Sequence, residues 1–355
     1  MKILHIPQST KKLSNKVNGI TTVLSEEIYW ENKIPNIESN IFIEGNLKKI
    51  EKIFLGKQSK NKILDYKPDI VIFNGFYILR HYFIAKFLQK NNIKYFIKPH
   101  GSFNKSSQKK SFLKKFLIRF FLLDSFVNKS EGIIFLSKEE RETSIYRVKK
   151  EIILPNGITK QKNTLKKTFQ DNNSINFIFL GRIDIFHKGI DILLDIIYKH
   201  KEYFINNKVF FNFYGKGSIN DIKYFQKKIF LINEIVEFFG PIYDEKKYKI
   251  LKESDIFILT SRYEGTPMGI LEALSLGIPC FITKETCMRS WIEKYNCGFV
   301  NLNTDNLFED LKKFIENYKE NRNLYINNSL KCADEFYWDN IIKIYEKEYR
   351  DLKSI

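Results

Sequence analysis

The stretch from Glu253 to Cys280, ESDIFILTSRYEGTPMGILEALSLGIPC, decides the fold. Asp255–Leu259 reads as a buried strand, a short apolar run bounded by polar residues. Thr260–Gly265 is a loop leaving its C-terminal end. Thr266 suits a helix N-cap and Pro267 the first helical position. Met268–Leu276 then reads as helix, and Gly277 falls where a left-handed C-terminal cap is expected. Strand, loop and capped helix in this order form the repeating unit of a parallel α/β sheet.

The same grammar recurs in both directions. Strand-like runs occupy 2–6, 69–73, 94–97, 132–136, 151–154, 175–180, 208–213, 235–239 and 279–282. They are continuously apolar, as strands are when helices cover both faces of a parallel sheet. Amphipathic stretches at 78–91, 110–127, 188–204 and 221–232 lie between them, and 334–350 is aromatic-rich and helical in pattern. The polar stretch 159–174, TKQKNTLKKTFQDNNS, reads as a linker. The expectation is an N-terminal domain over 1–160, joined by a helix at about 336–355, and a C-terminal domain over 165–335.

At 355 residues with 43% hydrophobic and 28% charged residues, the chain is expected to be globular and able to bury a large core. No run reaches the 18 or so apolar residues of a membrane span, and the N-terminus lacks the pattern of a signal peptide. Four cysteines, Cys280, Cys287, Cys297 and Cys332, form no C-x-x-C pair and read as reduced thiols, so a cytoplasmic location is expected. A net charge of +18 favours an anionic partner: nucleic acid, an acidic membrane face or a phosphorylated substrate. The plainer reading of that charge is the abundance of Lys throughout.

Two segments carry the chemistry. In the first, the backbone N–H groups of Met268, Gly269 and Ile270 are the unpaired donors of a helix start, a ready anion site. Gly269 there lets a ligand approach the backbone. Glu264 lies in the loop beyond the strand ends, where open α/β sheets bind ligands. Glu272 lies inside the helix among apolar neighbours and requires a partner, either sugar hydroxyls or a nearby Lys or backbone group. In the second segment, 177–195, FIFLGRIDIFHKGIDILLD, the strand ends at Gly181. Arg182 and Lys188 then flank a loop, and a forked guanidinium with a point ammonium suits a diphosphate.

Together these pieces resemble glycosyltransferase family 4, retaining nucleotide-sugar enzymes of the GT-B fold. The matching residues are Gly181-Arg182, His187-Lys188-Gly189, Tyr214-Gly215-Lys216-Gly217, Phe239-Gly240-Pro241, Ser261, Glu264-Gly265, Pro267, Ile270-Leu271-Glu272-Ala273 and Gly277-Ile278-Pro279. The resemblance implies an α/β chain of two Rossmann-like domains facing a central cleft, with a C-terminal helix around Trp338 crossing back to the first domain. It implies that Arg182 and Lys188 bind the donor diphosphate and stabilise its leaving charge. Glu264 would contact donor-sugar hydroxyls, the backbone over Thr266, Met268, Gly269 and Ile270 would hold sugar and phosphate, and Glu272 would take the ribose hydroxyls. Gly181 and Gly215 would border the donor, and Ile242 would lie beside the base.

In the N-terminal half, Lys98-Pro99-His100-Gly101 resembles the family's His-Gly turn, which implies that His100 faces donor sugar and acceptor. Lys16-Val17-Asn18-Gly19-Ile20 stands where the family has a Gly-Gly turn near the phosphates, with Gly19 retained and Asn18 replacing the first glycine. Leu154–Ile158 matches a structural turn before the linker.

The implied reaction moves a sugar from a nucleoside diphosphate, with UDP favoured, to a hydroxyl of a glycan or lipid-linked acceptor with retention, in cell-surface polysaccharide or lipopolysaccharide assembly. A donor phosphate oxygen would take the nucleophile's proton. No D-x-D motif occurs, in keeping with the family's metal independence, and no cofactor is expected. Residues 109–123, KKSFLKKFLIRFFLL, form a basic amphipathic pattern. It reads as a core-facing helix with solvated cations, or as a dock for an anionic membrane on the inner face of the cytoplasmic membrane. Two other functions fit less well. A nucleotide-sugar epimerase of the same architecture would need paired acids and bases, and only His100 matches. A nucleic-acid binder would need a recognisable module or a stacking platform, and neither is found.

Overall fold

A computed structural model describes residues 1–8, 19–44, 55–109, 123–160 and 174–353. The chain divides into two compact units, Met1–Gly157 with Trp338–Ile355, and Ile158–Tyr337.

The first unit is built on a six-stranded parallel sheet. Its strands are β1 (Lys2–Ile6), β2 (Glu38–Ile41), β3 (Ile70–Asn74), β4 (Lys94–Lys98), β5 (Gly132–Phe135) and β6 (Glu151–Ile153). Their order across the sheet is β2-β1-β3-β4-β5-β6. The apolar runs divide their residues between two faces with period two. Leu4, Val71, Phe73, Tyr95, Ile97, Ile133 and Phe135 enter one core cluster. Their neighbours Ile3, Ile70, Ile72, Phe96 and Ile134 enter the other.

The second face is closed by the helices Gly19–Glu31 and Trp338–Lys353. Trp338, Ile341, Tyr345 and Tyr349 recur at helical spacing and form the buried stripe of the C-terminal helix. Trp338 stacks on Trp30 at 6.2 Å and lies against Gly157, where a Cβ would come within 2.4 Å of the indole. The terminal helix thus belongs to the first unit.

The second unit has strands β7 (Ile175–Leu180), β8 (Val209–Tyr214), β9 (Val236–Gly240), β10 (Ile256–Leu259), β11 (Cys280–Thr283) and β12 (Gly298–Asn301). All run parallel, in the order β12-β11-β10-β7-β8-β9. The chain starts at β7 in the middle of the sheet and winds outward to both sides, so the β7/β10 boundary is a topological switch point.

Ten of the twelve strands among the described residues follow the expected runs to within a residue or two. The two unexpected ones, β2 (ESNI) and β12 (GFVN), are edge strands, where few apolar residues are needed. Two expected helices change. The stretch 188–204 is split at His200 into Ile190–Lys199 and Lys201–Asn206 because His200 leaves the helical region (φ −116°, ψ 28°). The stretch 221–232 ends as a 3-10 turn over Phe230–Ile232. The basic stretch 109–123 falls almost wholly outside the described residues, as do Lys16–Asn18 and most of 159–174. Among the described residues no helix is long and apolar enough to cross a membrane.

Candidate active site

In the second unit, parallel strands bring the loops after β7, β8, β9 and β10 to one end of the sheet. The β7 loop carries Arg182, His187 and Lys188, and Asp184 shapes it. Its Oδ1 takes the His187 N–H (3.0 Å) and its carbonyl the Lys188 N–H (2.9 Å). The β10 loop is sewn to it: the Arg262 N–H reaches the His187 carbonyl at 2.9 Å, and Thr260 Oγ1 donates to the Gly189 carbonyl at 3.1 Å. Arg262 adds a forked ion pair to Asp191 at 2.7 and 2.8 Å. Two loops separated by more than seventy residues thereby act as one rigid rim.

At its centre, Lys188 Nζ donates to Glu264 Oε1. Ser261 Oγ donates to the same oxygen at 2.8 Å, and His187 Nε2 lies 3.5 Å from it. Lys188, His187 and Glu264 are each only 12–13% exposed. Burial pushes the Glu264 carboxyl up, but the Lys188 ammonium, His187 and the Ser261 hydroxyl outweigh it and hold the group below the usual carboxylate range. Burial lowers His187, with Lys188 and Arg182 adding to the effect. Its tautomer follows from its partners: Arg182 Nη2 donates to Nδ1 at 3.1 Å, so Nε2 carries the proton and donates to the Tyr263 carbonyl at 2.8 Å. The ring also stacks on Tyr263 at 4.1 Å. Arg182 itself remains 63% exposed.

The β8 turn closes the floor. Gly181 N–H reaches the Tyr214 carbonyl at 3.0 Å, and Gly215 N–H the Gly240 carbonyl at 2.9 Å. A Cβ on Gly215 would lie 1.7 Å from the Gly181 carbonyl oxygen, so only glycine fits. Ile242 follows β9, half-buried against the core.

The helix after β10 corrects three expectations. It spans Met268–Ser275, with Pro267 rather than Thr266 at the N-cap and no side-chain cap. Extended Pro267 (ψ 118°) turns its carbonyl to the Ile270 N–H at 3.1 Å, so Ile270 is not a spare donor. Only Met268 and Gly269 precede the helix's own bonds. Gly269 serves packing, since a Cβ there would meet the Phe257 ring at 2.9 Å. Thr266 is buried beside this turn. The C-terminus follows expectation, with the Gly277 N–H on the Leu274 carbonyl and the Ile278 N–H on the Ala273 carbonyl, both at 3.0 Å. Glu272 has the nearby lysine as its partner, Lys247 Nζ to Oε1 at 2.7 Å.

His100 lies in the first unit, in a left-handed turn (φ 51°) after β4. Gly101 follows at φ 81°, its N–H donated to the buried Glu140 carboxylate, which also takes the Leu136 N–H at 2.6 Å. His100 Nε2 meets Asn74 Oδ1 at 3.1 Å, and Asn74 Nδ2 meets His5 Nδ1 at 3.2 Å. His5 Nε2 meets Glu31 Oε2 at 2.9 Å, while Lys98 Nζ pairs with Glu27 at 2.8 Å. Gly19 starts the helix that carries Glu27 and Glu31. His5, Glu27 and Glu31 stand close enough to share a cation. Their donors and acceptors are already engaged by Lys98, Ser39, Tyr345 and Tyr349, so the cluster reads as a hydrogen-bond network.

Sequence reasoning passed over Asn74, His5, Ser261 and Lys247 as site residues. For His5, Asn74 and Lys98 a signal exists: each is a polar residue in an otherwise apolar strand, at a position whose neighbours two residues away face the second core.

Residues 160–331 match a family model described as glycosyl transferases group 1. A 34-residue stretch is 56% identical to the Escherichia coli UDP-Gal:alpha-D-GlcNAc-diphosphoundecaprenol alpha-1,3-galactosyltransferase, and it spans 10% of this chain and 9% of that enzyme. Among solved structures, a sucrose-phosphate synthase from Thermosynechococcus elongatus is similar over 100% of both chains, with a TM-score of 0.78 and 13% identity. Anabaena Alr3699/HepE, solved in complex with UDP-glucose, is similar over 100% of both chains, with a TM-score of 0.72 and 15% identity. At these identities the likeness shows the fold: two Rossmann-like units of the GT-B type with a C-terminal helix.

Proposed function

We propose that the protein is a retaining glycosyltransferase that moves a sugar from a nucleoside diphosphate, UDP favoured, to an acceptor hydroxyl in cell-surface glycan assembly. The observation that carries this reading is the Lys188–Glu264 pair, set with Ser261 and His187 at the switch point of the second sheet. The match over 160–331 and the UDP-glucose complex of a similarly folded protein support it.

Charge grows on the departing diphosphate and on the sugar as the glycosidic bond breaks. Lys188 and Arg182 are the cations available to the former, together with the Met268 and Gly269 N–H groups. Glu264, held ionised, accepts hydrogen bonds from sugar hydroxyls and does not serve as an acid. Glu272 has a second oxygen for ribose hydroxyls while Lys247 holds the first. On this reading His100, in the first unit's His-Gly turn, contacts the reacting sugar. The donor supplies the base for the acceptor proton, and neither a metal nor a cofactor takes part. The site of action is the cytoplasm, with the lipid-linked acceptor at the inner membrane face.

A panel of UDP-, GDP- and ADP-sugars tests this by thermal shift and by product analysis. A UDP-sugar is expected to raise Tm and give an α-linked product from an α-linked donor, insensitive to EDTA. No shift and no transfer with any nucleotide sugar would refute the assignment.

A further inference from the structure

We propose that Asn74 is a positioning residue that passes the protonation state of the buried His5 to His100, setting which His100 ring nitrogen carries the proton. The inference deepens the reading above only in naming what His100 offers to substrate; the coupling itself stands on geometry.

Glu31 gives the chain of hydrogen bonds its direction. Its carboxylate can only accept, and it takes the hydroxyls of Ser39 (2.5 Å) and Tyr349 as well as His5 Nε2. His5 Nε2 must therefore carry a proton. When His5 is neutral, its Nδ1 is a lone pair and needs the Asn74 amide N–H at 3.2 Å. Asn74 Oδ1 then faces His100 Nε2 at 3.1 Å, which must be N–H. His100 is left with a bare Nδ1, which has no partner among the described residues. The Asn74 amide stands in the orientation that this state requires, with Nδ2 toward His5 and Oδ1 toward His100.

When His5 is charged, both of its nitrogens donate. The Asn74 amide must turn end for end, giving up its long contact from Nδ2 to the Ile72 carbonyl (3.4 Å); its N–H then meets His100 Nε2, and the His100 proton moves to Nδ1. His100 Nδ1 thus switches from acceptor to donor, which changes what the ring can offer a substrate hydroxyl. His100 itself stays neutral, since burial and then the Lys98 ammonium push it down to about 3.

Among the described residues, the charged groups facing His5 come from two elements. Glu31 and Glu27 come from the helix Gly19–Glu31 and Lys98 from β4, with the Tyr345 and Tyr349 hydroxyls on the C-terminal helix. Lys98 is committed to Glu27 and Tyr345, which leaves Glu31 as the anion that His5 answers.

Histidine-15N NMR of the full chain between pH 6 and 9.5 reads both rings in one spectrum. The expected result is His100 as Nε2–H wherever His5 is neutral and as Nδ1–H wherever His5 is charged. A neutral His5 with His100 Nδ1–H, or a charged His5 with His100 Nε2–H, overturns the coupling. In a transfer assay, Asn74→Leu is expected to lower kcat about tenfold with little change in donor KM, and Asn74→Asp to recover most of it. Wild-type kcat in Asn74→Leu overturns the positioning role. Absence of transfer by the wild type with every sugar nucleotide would sink the functional reading and leave the NMR result standing.

Discussion

Lys188 and Glu264 meet at one atom: the ammonium donates to Glu264 Oε1, the same oxygen that receives Ser261 Oγ at 2.8 Å. The pair links the two rim loops and is mostly shielded from water, so each charge depends on the other. Glu264→Ala and Lys188→Ala are both expected to abolish detectable turnover, since loss of one preorganised electrostatic group costs about 10²–10³ in rate. Each single change strands a shielded charge and should lower Tm. The double change Lys188→Met with Glu264→Gln should recover part of that Tm without recovering activity. Turnover near normal in both single variants would contradict the assignment.

Glu272 separates affinity from chemistry. Its Oε1 is held by Lys247 at 2.7 Å, and it takes no part in the hydrogen bonds that join Lys188 and Ser261 to Glu264. Removing a charge-assisted hydrogen bond costs about 1.5–3 kcal/mol, so Glu272→Gln should raise the donor KM at least tenfold. Steady-state kinetics should show kcat within a few-fold of wild type. A large fall in kcat at unchanged KM would move Glu272 to the reacting centre.

Acid should destabilise the first unit through two histidines. Burial pushes His81 from 6.5 down to about 4 and His100 down to about 3. Between those values and 6.5 the unfolded chain binds protons that the folded chain refuses, so stability rises with pH in that window. Each group contributes at most about 1.4 kcal/mol per pH unit there. His5 is raised by Glu31 despite its burial, so its contribution has the opposite sign, lost as pH climbs through its folded value. Urea midpoints between pH 4.5 and 6.5 should show a shallower slope in His81→Leu than in wild type, and an unchanged slope would refute the attribution.

Gly157 is where the terminal helix locks. A Cβ there would come within 2.4 Å of the Trp338 indole, which is itself buried and stacked on Trp30. Gly157→Ala is expected to cost about 1–3 kcal/mol by overpacking, and Trp338→Ala about 3–5 kcal/mol by leaving a cavity. Urea unfolding followed by tryptophan fluorescence checks the first and circular dichroism the second. A neutral Gly157→Ala would show that the indole can shift freely.

Much of the architecture was legible in the chain because it is written in local pattern. Continuous apolar runs mark β1, β3–β5, β7, β8, β10 and β11 as strands covered on both faces. β2 and β12 escaped because an edge strand buries little and needs few apolar residues. Gly277 announced its cap because a left-handed turn leaves few alternatives, whereas Thr266 did not become one, since a Pro in extended conformation took that place. Lys188, Glu264 and Arg182 were visible through spacing and resemblance, but not who would hold them.

The amino-acid order by itself determined the parallel α/β class, the main strands and the residue types at the rim. Those depend on neighbours a few positions apart. Only the tertiary structure decided that Lys188 answers Glu264 across 76 positions, that Lys247 holds Glu272, and that Asn74 joins His5 to His100. Hydrogen bonds between distant residues depend on how strands are ordered in the sheet, and no local periodicity encodes that order.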